Sequence, residues 1–211
     1  AVKAVISARD ITVNVKDNEK LDIYYKGKLV LSDYETARKK SEKNPYEDLA
    51  IAELEGHTVG KDEEKTDAVT IIKKLGKDDA IYGLGDKPGC LNKRGYSYVN
   101  WNTDDPAPHV DSFKSLYKSI PFFIVLGDEY CYGIFADNTY KTTFDFGYEN
   151  TDYYFVEHEK GELDYYFMPG NDMAEVVGLY TSLTGTTPLY QRWIYGSHQS
   201  RWGYYTQDEA V

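Results

Sequence analysis

The stretch WNTDDP, residues 101–106, sets two neighbouring carboxylates, Asp104 and Asp105, just ahead of a proline. An ionised carboxylate accepts hydrogen bonds from two adjacent hydroxyls at once, which is the chemistry needed to hold a polyol. The residues alone also support a plainer reading, in which Asp104 is a turn residue before Pro106 in a polar loop. GLGDKPG, at 83–89, has glycines beside an acid. No helix start follows it, so it reads as a turn with a structural Asp86 and not as a phosphate loop. Lys93 and Arg94 form a single basic pair in an acidic chain, which is not a nucleic-acid track. Cys90, Cys131 and four scattered histidines share no metal-ligand spacing. Neither a zinc site nor any other cofactor is expected.

Composition narrows the setting for these groups. The chain has 211 residues, enough for one large β domain or two small ones. Aromatics make up 15% of it, mostly tyrosines, which favours strands. A net charge of -11 argues against nucleic acid or an anionic membrane as partner. No stretch reaches the roughly 18 apolar residues of a membrane span, and no signal peptide opens the chain. Two cysteines suit a reduced, cytoplasmic protein better than a disulfide scaffold, with a single Cys90–Cys131 bridge left open.

The elements that must position WNTDDP are nearly all strands. Alternating or apolar runs at 11–15, 21–25 and 28–34, separated by KDNEK and KGK, read as a meander. ETARKKSEKNPYEDL carries charges and Pro45 and reads as an exposed connection. Further strands are expected in DLAIAEL, DAVTIIKKL, DAIYGLG, PFFIVLGDEYCYGIFAD, KTTFDFG, YYFVEHEKG and ELDYYFMPG. Many short strands with turn signals between them indicate an antiparallel β-sandwich over residues 1–187. One helix, at 172–184, interrupts them. Asp172 caps it, Glu175 follows three residues later, and Gly185 stops it. Met173, Val176, Val177, Tyr180 and Leu183 form its apolar stripe, which should pack on whatever lies beside the sandwich.

After Pro188 the pattern changes. WIYGSHQ reads as a strand, and Thr206 to Glu209 as a capping box with Glu209 reaching back to the cap's own N–H. That is the opening of a β/α unit. Residues 188–211 are therefore expected to be the linker, first strand and first helix start of a second, truncated domain.

Four blocks in register carry a family resemblance: YGLGDKPGCLNKRGYSYVNWNTDDP, SLYKSIPFFIVLGDEYCYGIFADN, TTFDFGYEN and GSHQSRWGYYT. Their order and spacing resemble glycoside hydrolase family 31, the family of many α-glucosidases. The resemblance is close from about residue 80 to 211 and looser before that. It implies a galactose-mutarotase-like sandwich ahead of a (β/α)8 barrel whose first strand is GSHQSRWGYYT. It also implies retaining hydrolysis by a nucleophilic and an acid/base aspartate. Both would lie on later barrel strands, the nucleophile in a Trp-x-Asp-Met motif that this chain does not contain. The segment is thus expected to be inactive alone, with no catalytic residue of its own.

The resemblance gives two residues substrate-binding roles. Asp104 aligns with an acid that hydrogen-bonds sugar hydroxyls from a loop over the barrel mouth, with Asp105 as the competing neighbour. Trp202 aligns with an aromatic lining the subsite of the cleaved sugar, against a plainer reading as a plug between sandwich and barrel. Arg201 reads as structural, Trp101 and Tyr117 as loop supports, and His198 as a candidate core histidine. Expected partners are α-linked glucosides or related oligosaccharides and the barrel of the same chain. The barrel-facing surface, left bare, would be open to self-association. The alternative is a stand-alone carbohydrate-binding module without catalysis. A self-sufficient mutarotase-type site would need a His/Glu constellation that four histidines do not assemble.

Overall fold

A computed structural model describes residues 1–40, 68–105, 108–198 and 206–210. Short alternating runs become strands because every second side chain can leave water. β11 (Tyr153–His158) alternates half-buried and buried residues along its whole length. The large sheet takes the order β1 (Val2–Ala8), β2 (Ile11–Lys16), β3 (Leu21–Tyr25), β4 (Lys28–Lys40), β5 (Ala68–Lys74), β11, β10 (Thr142–Asp145) and β7 (Ser97–Asn100). The small sheet runs β12 (Tyr165–Gly170), β9 (Cys131–Ala136), β8 (Phe122–Leu126) and β6 (Ala80–Gly83). All these pairings are antiparallel. Side chains from both sheets share one core, including Ile71, Tyr98, Phe144 and Val156 from the large sheet and Phe123, Val125, Tyr132 and Ile134 from the small one. The architecture is the expected sandwich.

The helix α1 (Met173–Thr184) packs on the outer face of the small sheet. Asp172 Oδ1 accepts from the Glu175 N–H at 2.9 Å, and the Glu175 carboxylate accepts from the Asn171 N–H at 2.8 Å. Gly185, at φ 89°, ends the helix with its N–H on the Thr181 carbonyl. Only part of the expected stripe is covered. Val176 is fully buried and Tyr180 stacks on Phe122 at 4.0 Å, while Met173, Val177 and Leu183 stay exposed. The close approach depends on Gly133 in β9. A Cβ there would fall 2.7 Å from both Phe122 and Val176.

Three stretches differ from the sequence expectation. Residues 35–40, read as a connection, continue β4 and pair with β5 through Lys40↔Ala68. Register shifts at Asp33/Glu35 and Glu35/Arg38 break the alternation that would have revealed the strand. Residues 193–195, read as the start of the strand WIYGSHQ, instead belong to a 3-10 helix (Arg192–Tyr195) closed by Ile194 N–H to Gln191 O and Gly196 N–H to Trp193 O. No described strand lies beside them, so local bonds satisfy their backbone. β1 and β7 were not anticipated. DLAIAEL lies outside the described residues. The capping box at 206–209 does form: Glu209 Oε2 accepts from the Thr206 N–H at 2.9 Å, opening α2 (Gln207–Ala210).

One ion pair sits within the sandwich. Lys73 of β5 faces Asp33 of β4 in register, and its Nζ is 2.5 Å from Asp33 Oδ1 and 3.1 Å from the Tyr165 hydroxyl. Burial alone would depress this ammonium, but Tyr165 and Asp33 outweigh it and hold its pKa above the usual lysine value. Breaking such a pair strands a buried charge, which costs about 3–5 kcal/mol. Lys73→Ala should lower unfolding stability by about that much in urea melts, and the double replacement of Lys73 and Asp33 by apolar residues should restore most of it. Equal losses in the single and double variants would show that the charges are not coupled.

Candidate functional site

β6 and β7 are edge strands of different sheets, so the segment joining them, 84–96, has to close the side of the sandwich. Lys93 ties it shut. Its buried Nζ donates to the carbonyls of Lys87 at 3.1 Å and Pro88 at 3.0 Å and lies 5.3 Å from the centre of the Tyr98 ring. Tyr98 donates its own hydroxyl to Pro88 O at 2.8 Å. Arg94 turns the other way and donates to Gly76 O at 2.6 Å and Asp79 O at 3.1 Å. The basic pair is therefore a double clamp on backbone carbonyls, a role with no periodic signature in the sequence.

This clamped segment abuts the loop that carries WNTDDP. Gly85 has φ 79°, and a Cβ there would lie 2.7 Å from the Lys118 carbonyl. Asp86, expected to be structural, is exposed and pairs with exposed Lys118 at 3.6 Å, a contact of little energetic weight. Lys87, next in sequence, is half-buried, and its Nζ is buried without a hydrogen-bond partner among the described residues. Burial brings its pKa down to about 8, with Asp86 opposing the shift.

The loop itself, residues 101–121, leaves from the end of β7 and returns at β8. Its base is stitched to the sheet by the Val99 N–H on Lys114 O at 2.8 Å and by buried Leu116. Just above the base, the Thr103 and Ser115 hydroxyls converge on the Trp101 carbonyl and lie 3.0 Å from each other. Next, His109 Nε2 donates to the Asp105 carbonyl at 3.0 Å, and its ring meets Phe113 edge-on at 5.6 Å. Asp105 is half-buried and held by this fold-back, whereas Asp104 points its exposure to solvent beside it. Trp101 and Tyr117, at 56% and 53% exposed, flank the loop without being covered by it. The arrangement is a rooted loop presenting one exposed carboxylate and two exposed aromatic faces.

Trp202 and Arg201 lie outside the described residues. His198, a candidate core histidine, is exposed and donates from Nε2 to Ile194 O at 2.7 Å. The two cysteines are free thiols, Cys90 exposed and Cys131 buried. Among the described residues no three His, Cys, Asp or Glu side chains group as metal ligands.

Compared with known proteins, residues 2–145 match the glycosyl hydrolase 31 N-terminal galactose mutarotase-like domain. The chain is 45% identical over 142 residues to Alpha-glucosidase 2 of Bacillus thermoamyloliquefaciens, covering 67% of this chain and 18% of that one. It is 34% identical over 122 residues to the alpha-xylosidase XylQ of Lactiplantibacillus pentosus, covering 58% and 15%. A solved Flavobacterium johnsoniae GH31 dextranase complexed with glucose is similar at a TM-score of 0.65 and 35% identity, covering 86% of this chain and 20% of that one. A variant of the same dextranase, complexed with isomaltotriose, matches equally. The chain spans about a fifth or less of the length of each.

Lys87 gives this region a testable pH signature. A lysine whose folded pKa is depressed binds fewer protons folded than unfolded between pH 8 and the unfolded value, so stability rises with pH across that window. Lys87→Met should therefore stabilise the protein at pH 7 by about 1 kcal/mol, allowing for solvent screening of a half-exposed group, and flatten the rise between pH 8 and 10. A destabilised Lys87→Met variant in chemical denaturation at pH 7 would contradict this.

Proposed function

Because this chain belongs to glycosyl hydrolase family 31, through that family's N-terminal galactose mutarotase-like domain, we propose that it serves beside a family catalytic domain and lends its 101–121 loop to substrate binding. The ligand is an α-linked glucoside or related oligosaccharide, a class supported by relatives named for glucosidase, xylosidase and dextranase activity. The observation that carries the reading is the contrast within one loop. Asp105 is half-buried in a fold-back, while Asp104 is exposed on a base fixed by Thr103, Ser115 and Leu116. A carboxylate held out on a fixed base can orient vicinal hydroxyls without taking part in bond breaking. The retaining reaction itself needs two carboxyl groups about 5–5.5 Å apart. Those belong to the barrel, and Trp202 would join its sugar subsite.

The domain organisation follows from the same premise. Residues 1–187 form the sandwich unit, and 188–211 open the barrel. The exposed side chains of Met173, Val177, Leu179 and Leu183 on α1, with Leu189 at 94% and Trp193 at 68%, supply an apolar surface suited to that neighbour. Without it, the same surface favours self-association.

The test is Asp104→Ala in a polypeptide that joins these residues to the catalytic domain. Losing a charged hydrogen-bond acceptor costs about 1.5–3 kcal/mol, a roughly ten- to hundredfold fall in kcat/KM. Folding should be unchanged, and Asp105→Ala should remain nearer wild type. If Asp105→Ala loses activity and Asp104→Ala does not, the neighbour is the ligand. If both stay fully active, the loop does not touch substrate. Residues 1–211 alone should not cleave an aryl α-glucoside above background, because neither reacting carboxylate is among them.

A further inference from the structure

One row on the inner face of the large sheet is polar. Thr142 of β10 is paired in register with Asn100 of β7 on one side and His158 of β11 on the other. Directly opposed residues on antiparallel strands project to the same face. The next row along the same face is Tyr98, Phe144 and Val156, all core residues. The polar row is as deep as the apolar one: Asn100 is 7% exposed, Thr142 1% and His158 0%.

Hydrogen-bond accounting then fixes the chemistry of this row. Thr142 Oγ1 lies 3.0 Å from the Tyr140 carbonyl, which can only accept, so the one hydroxyl proton is used there. His158 Nδ1 lies 2.8 Å from the same hydroxyl oxygen and must supply the proton for that contact. His158 is thereby the Nδ1–H tautomer, and its Nε2 is a bare acceptor. Nε2 has no partner among the described residues, and neither do Oδ1 and Nδ2 of Asn100. Desolvation holds the imidazole below its usual pKa, in keeping with an Nε2 that stays unprotonated.

The row therefore offers an acceptor at one end and two donors with an acceptor at the other, two strand spacings apart, about 10 Å between backbones. Buried groups of this kind are paired, by protein or by ordered water. An anion fails to match, because a bare imidazole nitrogen needs a donor, and a cation fails to match the amide N–H groups. Water satisfies both ends. We propose that Asn100, Thr142 and His158 form a buried hydration site, in which ordered water donates to His158 Nε2 and exchanges hydrogen bonds with the Asn100 amide. Asn100 is the last residue of β7, and the next carbonyl, that of Trp101, gathers the Thr103 and Ser115 hydroxyls. The site thus fixes where the 101–121 loop departs, and Asn100 is a positioning residue for that loop. At the loop's far end Ser119 likewise buries a hydroxyl without a partner among the described residues. This holds whether or not Asp104 touches a sugar.

Water-to-protein cross-relaxation and long-range imidazole 15N–1H spectra on the 15N-labelled protein test it. Contacts from long-lived water to the Asn100 side-chain amide are expected, with His158 protonated at Nδ1 only. In Asn100→Leu the backbone resonances of Trp101 and Ser115 should shift. Asn100→Ser, which keeps a water-binding group, should leave them near wild type. An Asn100 amide without water contacts, or a His158 carrying its proton on Nε2, overturns the site. Unmoved Trp101 and Ser115 resonances in a folded Asn100→Leu variant overturn the positioning role. Should Asn100→Leu fail to fold, the wild-type spectra and Asn100→Ser still decide.

Discussion

Phe123 holds the two sheets in one alignment. It rises from the middle of the small sheet, fully buried, with its ring centre 5.5 Å from Tyr154 and 5.9 Å from Phe144 on the facing sheet and 4.9 Å from Phe146 just past the end of β10. Edge-on and tilted contacts of this kind add to the area they bury and favour one orientation of the rings. Because side chains in a strand alternate, a slip of one residue in β8 would turn Phe123 out of the core and bring Phe122 in. Phe122 already has its own place, stacked on Tyr180 of α1. The aromatic pair at 122–123 therefore sets the small sheet's register against both the large sheet and the helix.

From that alignment the placement of the loops follows. It brings the free edges of β6 and β7 to the same side, where Lys93 and Arg94 clamp the crossing segment onto backbone carbonyls. The clamped segment then bounds the 101–121 loop through the close approach of Gly85 to Lys118. Polar groups inside the sandwich act in the same sense. The Lys73–Asp33–Tyr165 group and the Tyr132–Tyr154 hydroxyl contact are satisfied only in the observed pairing. Their contribution is to select one arrangement, since apolar replacements could match their stability. Asp104 is thus carried by a loop whose root is specified several layers down.

Much of this was legible in the sequence where local periodicity and burial agree. YYFVEH alternates and became an alternating strand. Asp172, Glu175 and Gly185 signalled both ends of α1, and Thr206 with Glu209 signalled the start of α2. Where the two disagree, the signal was lost. The charged end of β4 is a strand because β5 pairs with it, and its bulges hide the period. β1 carries apolar residues yet is exposed at every position, an edge strand defined by its backbone ladder with β2. The 3-10 helix at Arg192–Tyr195 shows the converse, an apolar aromatic run with no described neighbour to pair with. For the site, the motif located the loop, but nothing in WNTDDP distinguishes an exposed Asp104 from a half-buried Asp105. That contrast arises from the fold-back made by His109 and Phe113. Asn100 gave no signal at all, because its environment is set by strands far away in sequence.

The central claim is that a sandwich loop reaches the sugar. A crystal structure of these residues joined to their catalytic domain, with a bound α-linked oligosaccharide, tests it most directly. The account predicts an Asp104 carboxylate oxygen within about 2.6–3.2 Å of a sugar hydroxyl. The Thr103–Ser115–Trp101 cluster should keep the geometry described above. A bound sugar that leaves Asp104 solvated and out of hydrogen-bonding reach, with the loop turned away from the barrel mouth, would contradict it.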